Sequence, residues 1–184
     1  MKKYNQISYT FFMKYIITIL LAILFIGCSA SNIQVEKKLT KDNLSVLLSS
    51  LNNKVNKKEA KILSFEMFKQ SQFLKESYDL VSPPLFQNFL VNIGIKDKGL
   101  CWQFAYDMIK HAKSLDLKSF NYYIGGANIG DYWREHTTLV VTCKDCNFSD
   151  GIVLDPWRNS GELFYSKVKN DTQYVWSQRG GKRN

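Results

Sequence analysis

Three side chains in this sequence have the types and the order of a nucleophile, a base and an orienting acid. The nucleophile is Cys101, in the stretch Gly99-Leu100-Cys101-Trp102-Gln103-Phe104-Ala105. A glycine breaks the chain, and Trp102, Ala105, Tyr106 and Ile109 then follow at helical spacing. The pattern predicts a loop that delivers the cysteine to the first turn of a helix. Unpaired backbone N–H groups and the helix dipole make that place locally positive, a setting that favours thiolate, the nucleophilic form. A buried structural cysteine is the competing reading, since free cysteine packs well in cores.

A base for Cys101 must come from His111 or His136, the two histidines of the chain. His111 falls on the same predicted helix, roughly 15 Å along the axis from the cysteine, out of reach of the thiol. It reads as a solvated helix residue. His136 opens the β-branched run His136-Thr137-Thr138-Leu139-Val140-Val141-Thr142, after a glycine-rich loop. A histidine at an exposed strand end is the plainer reading, and the third group weighs against it. Asp155 closes the apolar run Ile152-Val153-Leu154 and precedes Pro156-Trp157. A carboxylate there would hold an imidazole in its useful tautomer and stabilise its charged form. Asp145 and Asp150 fall in the intervening turn and read as solvated. A hairpin with Lys144 to Asn147 as its loop sets Leu139 opposite Ile152, Thr138 opposite Val153 and His136 opposite Asp155. Directly opposite residues share a face, with Cβ atoms about 4.5–5.5 Å apart. A slip of one residue would put the pair on opposite faces.

The elements that must position these groups read as helices first and strands later. Asp42 is placed to cap a helix carrying Leu44, Leu47, Leu48 and Leu51. A longer helix runs from about Lys57 to Leu80 and is stopped by Ser82-Pro83-Pro84. A short helix carries Leu85, Phe86, Phe89 and Leu90, and the cysteine helix continues to about Ser114. Phe120, Tyr122 and Ile124 alternate as a strand, and Gly125 to Asp131 reads as a flexible loop. The next two strands are His136 to Thr142 and Ile152 to Asp155, the latter stopped by Pro156, with Glu162 to Tyr165 as a third candidate. This order predicts an α+β fold, with the cysteine helix packed on a small antiparallel sheet.

The front of the chain has another character. Ile16 to Ile26 is almost unbroken apolar sequence, preceded by Lys14 and followed by Gly27-Cys28-Ser29-Ala30. At about 1.5 Å per residue it reaches roughly 17 Å, short of a hydrocarbon core about 30 Å thick. Basic, then apolar, then small is the layout of a signal peptide, and Met13-Lys14 would open one of more ordinary length. With cysteine directly after the small residue, the segment resembles a bacterial lipoprotein signal, although Phe25 stands where a smaller aliphatic is usual. That resemblance implies cleavage before Cys28 and lipid attachment to its thiol; an uncleaved anchor helix is the alternative. The expected organisation is a signal peptide at 1–27, a polar tether at 28–41 and a single domain at 42–184. Such a protein would face away from the cytoplasm in the cell envelope, held to a membrane by its lipid anchor. The formal charge, +9 for the whole chain and +6 once Lys2, Lys3 and Lys14 leave with the signal, then favours anionic lipid headgroups over nucleic acid. The terminal Arg179-Gly180-Gly181-Lys182-Arg183 reads as a frayed, solvated end. An oxidising compartment permits a disulfide between Cys143 and Cys146, whose spacing suits the tip of a hairpin. Two free thiols are the second reading. A lone Cys-x-x-Cys supplies only half a zinc site, and no metal is expected.

At Gly99-Leu100-Cys101-Trp102-Gln103-Phe104-Ala105 the chain resembles the nucleophile motif of the transglutaminase-like cysteine enzymes, and papain-type proteases share the Cys-Trp-x-Phe part of it. The order Cys101, His136, Asp155 is similar to the transglutaminase-like pattern, since papain-type enzymes usually carry asparagine third. The resemblance spans about Leu85 to Trp157. It implies acyl transfer on a peptide or protein amide through a thioester, with no cofactor. Papain-type enzymes place an oxyanion-binding glutamine six residues before the cysteine, where this chain has Ile95; Gln87, Asn88 and Asn92 lie further back. The backbone N–H of Cys101 is the expected oxyanion donor. Trp102, Trp133 and Trp157 are candidate substrate contacts, with Gly125 to Asp131 a candidate gate. A binding or scaffold lipoprotein with the same fold is the competing function. The lipoprotein reading predicts that Cys28→Ala abolishes lipid attachment; an unchanged mass and unchanged lipid labelling of the variant would refute it.

Overall fold

A computed structural model describes residues 40–180, which fall within one compact unit of the chain, Lys38–Asn184. The signal segment 1–27, the lipidation candidate Cys28 and the tether as far as residue 39 lie outside the described residues. Among the described residues no helix is long and apolar enough to cross a membrane.

Helix α1 spans Lys41–Ser49, and its cap is Thr40, whose hydroxyl accepts from the Asn43 N–H at 3.2 Å. Asp42, expected as the cap, instead sits in the first turn, where a carboxylate complements the dipole. Helix α2 spans Lys57–Ser77 and is capped by Asn56, which accepts from the Lys58 N–H at 2.8 Å. It ends before Leu80 because Asp79 takes a left-handed conformation, φ 48°. Helix α3 (Pro84–Asn92) starts on a proline whose missing N–H costs the first turn nothing. Helix α4 (Cys101–Ser114) begins on the cysteine itself.

The strands form one antiparallel sheet in the order β4-β3-β2-β1-β5. They are β1 (Phe120–Ala127), β2 (His136–Cys143), β3 (Ile152–Asn159), β4 (Glu162–Lys167) and β5 (Ser177–Gln178). The α+β class expected from the sequence is therefore the one observed. Gly125 to Ala127 continue β1 and pair with β2 and β5, so the loop expected from Gly125 starts only at Asn128. The core lies between α4 and one sheet face. Phe104, Met108 and Ile109 pack with Ile124, Leu139, Val141, Ile152 and Leu154, and with Leu63 and Met67 of α2. A smaller cluster of Val140, Val153, Val168 and Trp176 covers the opposite face.

The β2–β3 register differs from the expected one. Leu139 pairs with Leu154 and Val140 with Val153, because the connection runs from Lys144 to Gly151 and contains a short 3-10 turn at Phe148–Asp150. The slip is two residues, which preserves the facing. Thr138, not His136, is therefore brought level with Asp155, and His136 reaches the carboxylate diagonally. Cys143 and Cys146 are joined by a disulfide with Cα atoms 5.0 Å apart.

Pro156 does not stop β3. It falls where the β3–β4 pairing is irregular, between Asp155 and Asn159, a place that tolerates a residue without a donor. Alternation also places His136 with Val140 and Asp155 with Val153, on the face away from the α4 core. Helix packing over that face is thus not what joins cysteine and histidine. The start of α4 meets them at the end of the sheet, beyond the last β2–β3 pair at Leu139 and Leu154.

That helix start is fixed by two glutamines. Leu100, at the cap position, has no side-chain acceptor, and Gln103 supplies one: its Oε1 accepts from the Gly99 N–H at 2.8 Å and the Leu100 N–H at 2.9 Å. From α3, buried Gln87 donates to the Lys98 carbonyl at 2.7 Å and accepts from the Val81 N–H at 3.1 Å. Gly99 has φ +129°, and a Cβ there would stand 2.5 Å from Gln87 Cγ. Gly99→Ala is expected to cost about 2–4 kcal/mol through strain and overlap. The measurement is the urea midpoint; no change would show that the Gln87 contact does not constrain the loop.

Candidate active site

The first residue of α4 has a backbone N–H that no intrahelical carbonyl uses. Cys101 occupies that position and is partly exposed. It lines a cleft of about 490 Å³ together with Trp102, Tyr106, Tyr132, Glu135 and Arg179. A larger depression of about 830 Å³, with Lys96, Lys98, Asp107 and His111 in its wall, shares no residue with this cleft and contains no cysteine.

His136 and Asp155 are both buried, and His136 Nε2–H donates to Asp155 Oδ2 at 2.7 Å. This fixes the tautomer that leaves Nδ1 free. Nδ1 is buried without a hydrogen bond of ordinary geometry, while the Cys101 thiol acts on the same ring closely enough to raise its pKa. Thiol and Nδ1 are thus neighbours short of a well-formed bond. Burial by itself pushes the imidazole pKa down. The charge and hydrogen bond of Asp155 outweigh it, Cys101 adds to them, and the value rises to about 9. At neutral pH the ring is an imidazolium.

Aromatic faces enclose that cation. The rings of Trp157, Tyr174 and Trp176 lie 4.6, 4.8 and 5.4 Å from the imidazole, centroid to centroid. They exclude water and offer negative π faces to the positive ring. Trp157 is oriented in turn by α3, its indole N–H donating to Asn88 Oδ1 at 3.1 Å.

The residues singled out from the sequence therefore separate. Cys101, His136 and Asp155 come together. Trp102 lines the cleft, half exposed. Trp157 packs against the imidazole. Trp133 is 83% exposed and stacks edge-on against Tyr132 at 5.0 Å. Gln87 donates its amide to the Lys98 carbonyl and Asn88 accepts from Trp157 through Oδ1, while the Cys101 N–H stands at the open start of α4. His111 does not face solvent alone: its Nε2 meets Glu66 Oε2 on α2 at 2.9 Å. Arg179 is not frayed. Its N–H donates to the Ile124 carbonyl at 2.8 Å and its guanidinium pairs with Glu135 beside the cleft.

Sequence reasoning missed the layer behind the histidine. Arg158 follows the Asp155-Pro156-Trp157 stretch and contacts both Asp155 oxygens, and Asp171 and Tyr174 come from the chain after β4. An arginine three residues after Asp155 was a usable signal; nothing near Asp171 marks it. Among the described residues no group of three or more His, Cys, Asp or Glu side chains is placed to hold a metal ion.

These features define an α+β protein in which a helix-start cysteine meets a buried histidine–carboxylate pair. In comparisons with known proteins, no family model matches the chain, and no curated protein or solved structure matches it.

The raised imidazole pKa ties stability to pH in a definite direction. The charged ring favours the folded state, so its contribution is complete below the ordinary histidine value of about 6.5 and is lost as pH rises through about 9. Imidazole NMR should show His136 titrating near 9. A value near 6.5 would mean that the Asp155 contact does not hold in solution.

Proposed function

We propose that this protein is a cysteine hydrolase or acyltransferase of transglutaminase-like fold, with a peptide or protein amide as its substrate. The observation that carries the reading is His136. It is buried, clasped through Nε2 by Asp155, and leaves Nδ1 free beside the one cysteine of the cleft. A structural histidine has no need of an unbonded buried nitrogen, which costs desolvation without return.

The chemistry follows from these positions. His136, already an imidazolium, holds the proton, and Cys101 attacks the carbonyl carbon of the amide as the thiolate. The developing oxyanion lies at the start of α4, toward the Cys101 N–H. As the tetrahedral intermediate collapses, the C–N bond breaks and His136 Nδ1–H protonates the departing amine, leaving a thioester on Cys101. Water then attacks the thioester carbonyl while His136 accepts its proton. The C–S bond breaks, the carboxylic acid leaves, and the proton taken from water stays on His136 beside the released thiolate, as at the start. An amine in place of water would give transfer. We favour hydrolysis, because water needs no second binding site. We read the lipoprotein-type front end as holding this site at a membrane surface, facing away from the cytoplasm.

Iodoacetamide labelling followed by mass spectrometry tests the nucleophile without a known substrate. Cys101 is expected to react at neutral pH faster than a peptide thiol, and His136→Ala to remove that advantage. Once a peptide or protein amide substrate is identified by screening, Cys101→Ala should lower its hydrolysis by roughly a thousandfold or more with the fold intact. Labelling that is slow in the folded protein and indifferent to His136 would overturn the catalytic reading in favour of a binding or scaffold lipoprotein.

A further inference from the structure

The carboxylate that holds His136 is itself held. Arg158 donates its backbone N–H to Asp155 Oδ1 at 3.3 Å and its Nε–H to Asp155 Oδ2 at 3.2 Å. Beyond that contact its terminal nitrogens grip Asp171 as a fork, Nη1 to Oδ1 at 3.1 Å and Nη2 to Oδ2 at 2.7 Å. The side chains of Arg158 and Asp171 are 8% and 1% exposed. The guanidinium lies 3.8 Å from the centroid of Phe164 and 4.8 Å from that of Tyr174. Asp171 spends its remaining capacity on its own segment, accepting from Trp176 Nε1–H at 2.8 Å and from the Gln173 and Tyr174 N–H groups at 3.0 and 3.3 Å. Tyr174 and Trp176 are two of the three rings that enclose the imidazole. One ion pair therefore joins the carboxylate behind His136 to the segment that covers His136.

Buried ion pairs are poor devices for stability alone, because desolvation consumes most of the attraction. This one is buried, bidentate and placed directly against the acid of the site. Burial opposes both charges, yet Asp171 and Asp155 hold the Arg158 pKa above its ordinary value, and Arg158 and Trp176 hold the Asp171 carboxyl below its own. His136, Asp155, Arg158 and Asp171 then alternate in charge.

We propose that Arg158 and Asp171 are positioning residues that set the orientation of Asp155 and the charge of His136 from behind. For its catalytic consequence the proposal rests on the reading of Cys101 and His136 given above. Its electrostatic content does not. The charged and titratable groups around the imidazole are Cys101 from α4, Asp155 and Arg158 from β3, and Asp171 and Tyr174 from the C-terminal segment. The Glu135–Arg179 pair stands at the cleft. Removing either member of the Arg158–Asp171 pair alone changes the field at His136 with opposite sign.

The test is the titration of His136, read by imidazole NMR, in single and double variants. Arg158→Met removes a cation and leaves two carboxylates behind the ring, so the midpoint should rise. Asp171→Asn leaves the Arg158 cation uncompensated, so the midpoint should fall. Shifts on the order of one pH unit are expected from charges a few ångströms apart. The double variant Arg158→Met/Asp171→Asn should return toward the parent value. Arg158→Lys keeps the charge and loses the fork; it should keep the midpoint yet slow iodoacetamide labelling of Cys101. If a single variant fails to fold, the double variant and Arg158→Lys carry the test, since neither strands a buried charge. Single variants that shift the midpoint in the same direction, or leave it unmoved, would overturn the proposal, as would a double variant displaced from the parent. Slow labelling of Cys101 in the parent protein would instead sink the catalytic reading, with the opposed NMR shifts still deciding this one.

Discussion

The contact on which the rest of the site depends is the hydrogen bond between His136 Nε2–H and Asp155 Oδ2, 2.7 Å long and almost wholly removed from water. Two opposite charges at that depth are held only if every remaining polar atom has a partner and no water competes. The carboxylate meets this demand through Arg158. The imidazole meets it only in part: three aromatic faces exclude water, while Nδ1 stays beside the Cys101 thiol without a well-formed bond. Several features that look separate in the fold follow from this single requirement: the irregular pairing after Asp155, the fork between Arg158 and Asp171, and the return of the chain to lay Tyr174 and Trp176 on the ring.

A second constraint acts from the other side. A cysteine at the first position of a helix is useful only if the chain before it is fixed, and that chain is a basic loop with no regular structure of its own. Gln103 and Gln87 supply the fixation, one from inside the helix and one from α3. Gln87 has the residue type of an oxyanion donor but spends its amide on backbone groups. The backbone N–H of Cys101, held at the open start of α4, is the more rigid donor of the two.

What could be read in the sequence follows the range of the interactions. The helices were legible because their period and prolines are local, although the cap of α1 is Thr40 and not Asp42, and α4 begins and ends where its pattern does. The pairing of His136 with Asp155 survived an error in register because a slip of two residues preserves the facing that a slip of one would have reversed. The connection was misjudged because Phe148 to Asp150 wind into a 3-10 turn that no single residue announces. Pro156 misled for a physical reason: a missing donor stops a regular ladder and not an irregular one. Asp171, Tyr174 and Trp176 were invisible as site residues, since only the tertiary fold brings them to His136. Trp157 and Trp133 stand as neighbours in aromatic type and far apart in environment, and composition alone does not distinguish them.

The length of β2 separates the two places where this protein holds sulfur chemistry. His136 opens the strand and Cys143 closes it. At about 3.4 Å per residue the strand keeps them roughly 24 Å apart. The disulfide to Cys146 constrains the far end of the hairpin, where the connection to β3 is longest and least regular, while Cys101 remains a free thiol at the near end. At such a distance an exchange between the disulfide and the thiol would require the sheet to come apart. An oxidising compartment can then keep the hairpin tied without the folded protein drawing Cys101 into the same bond. The disulfide and the free thiol are kept apart by geometry, through a strand whose register the core of Leu139, Val141, Ile152 and Leu154 holds in place.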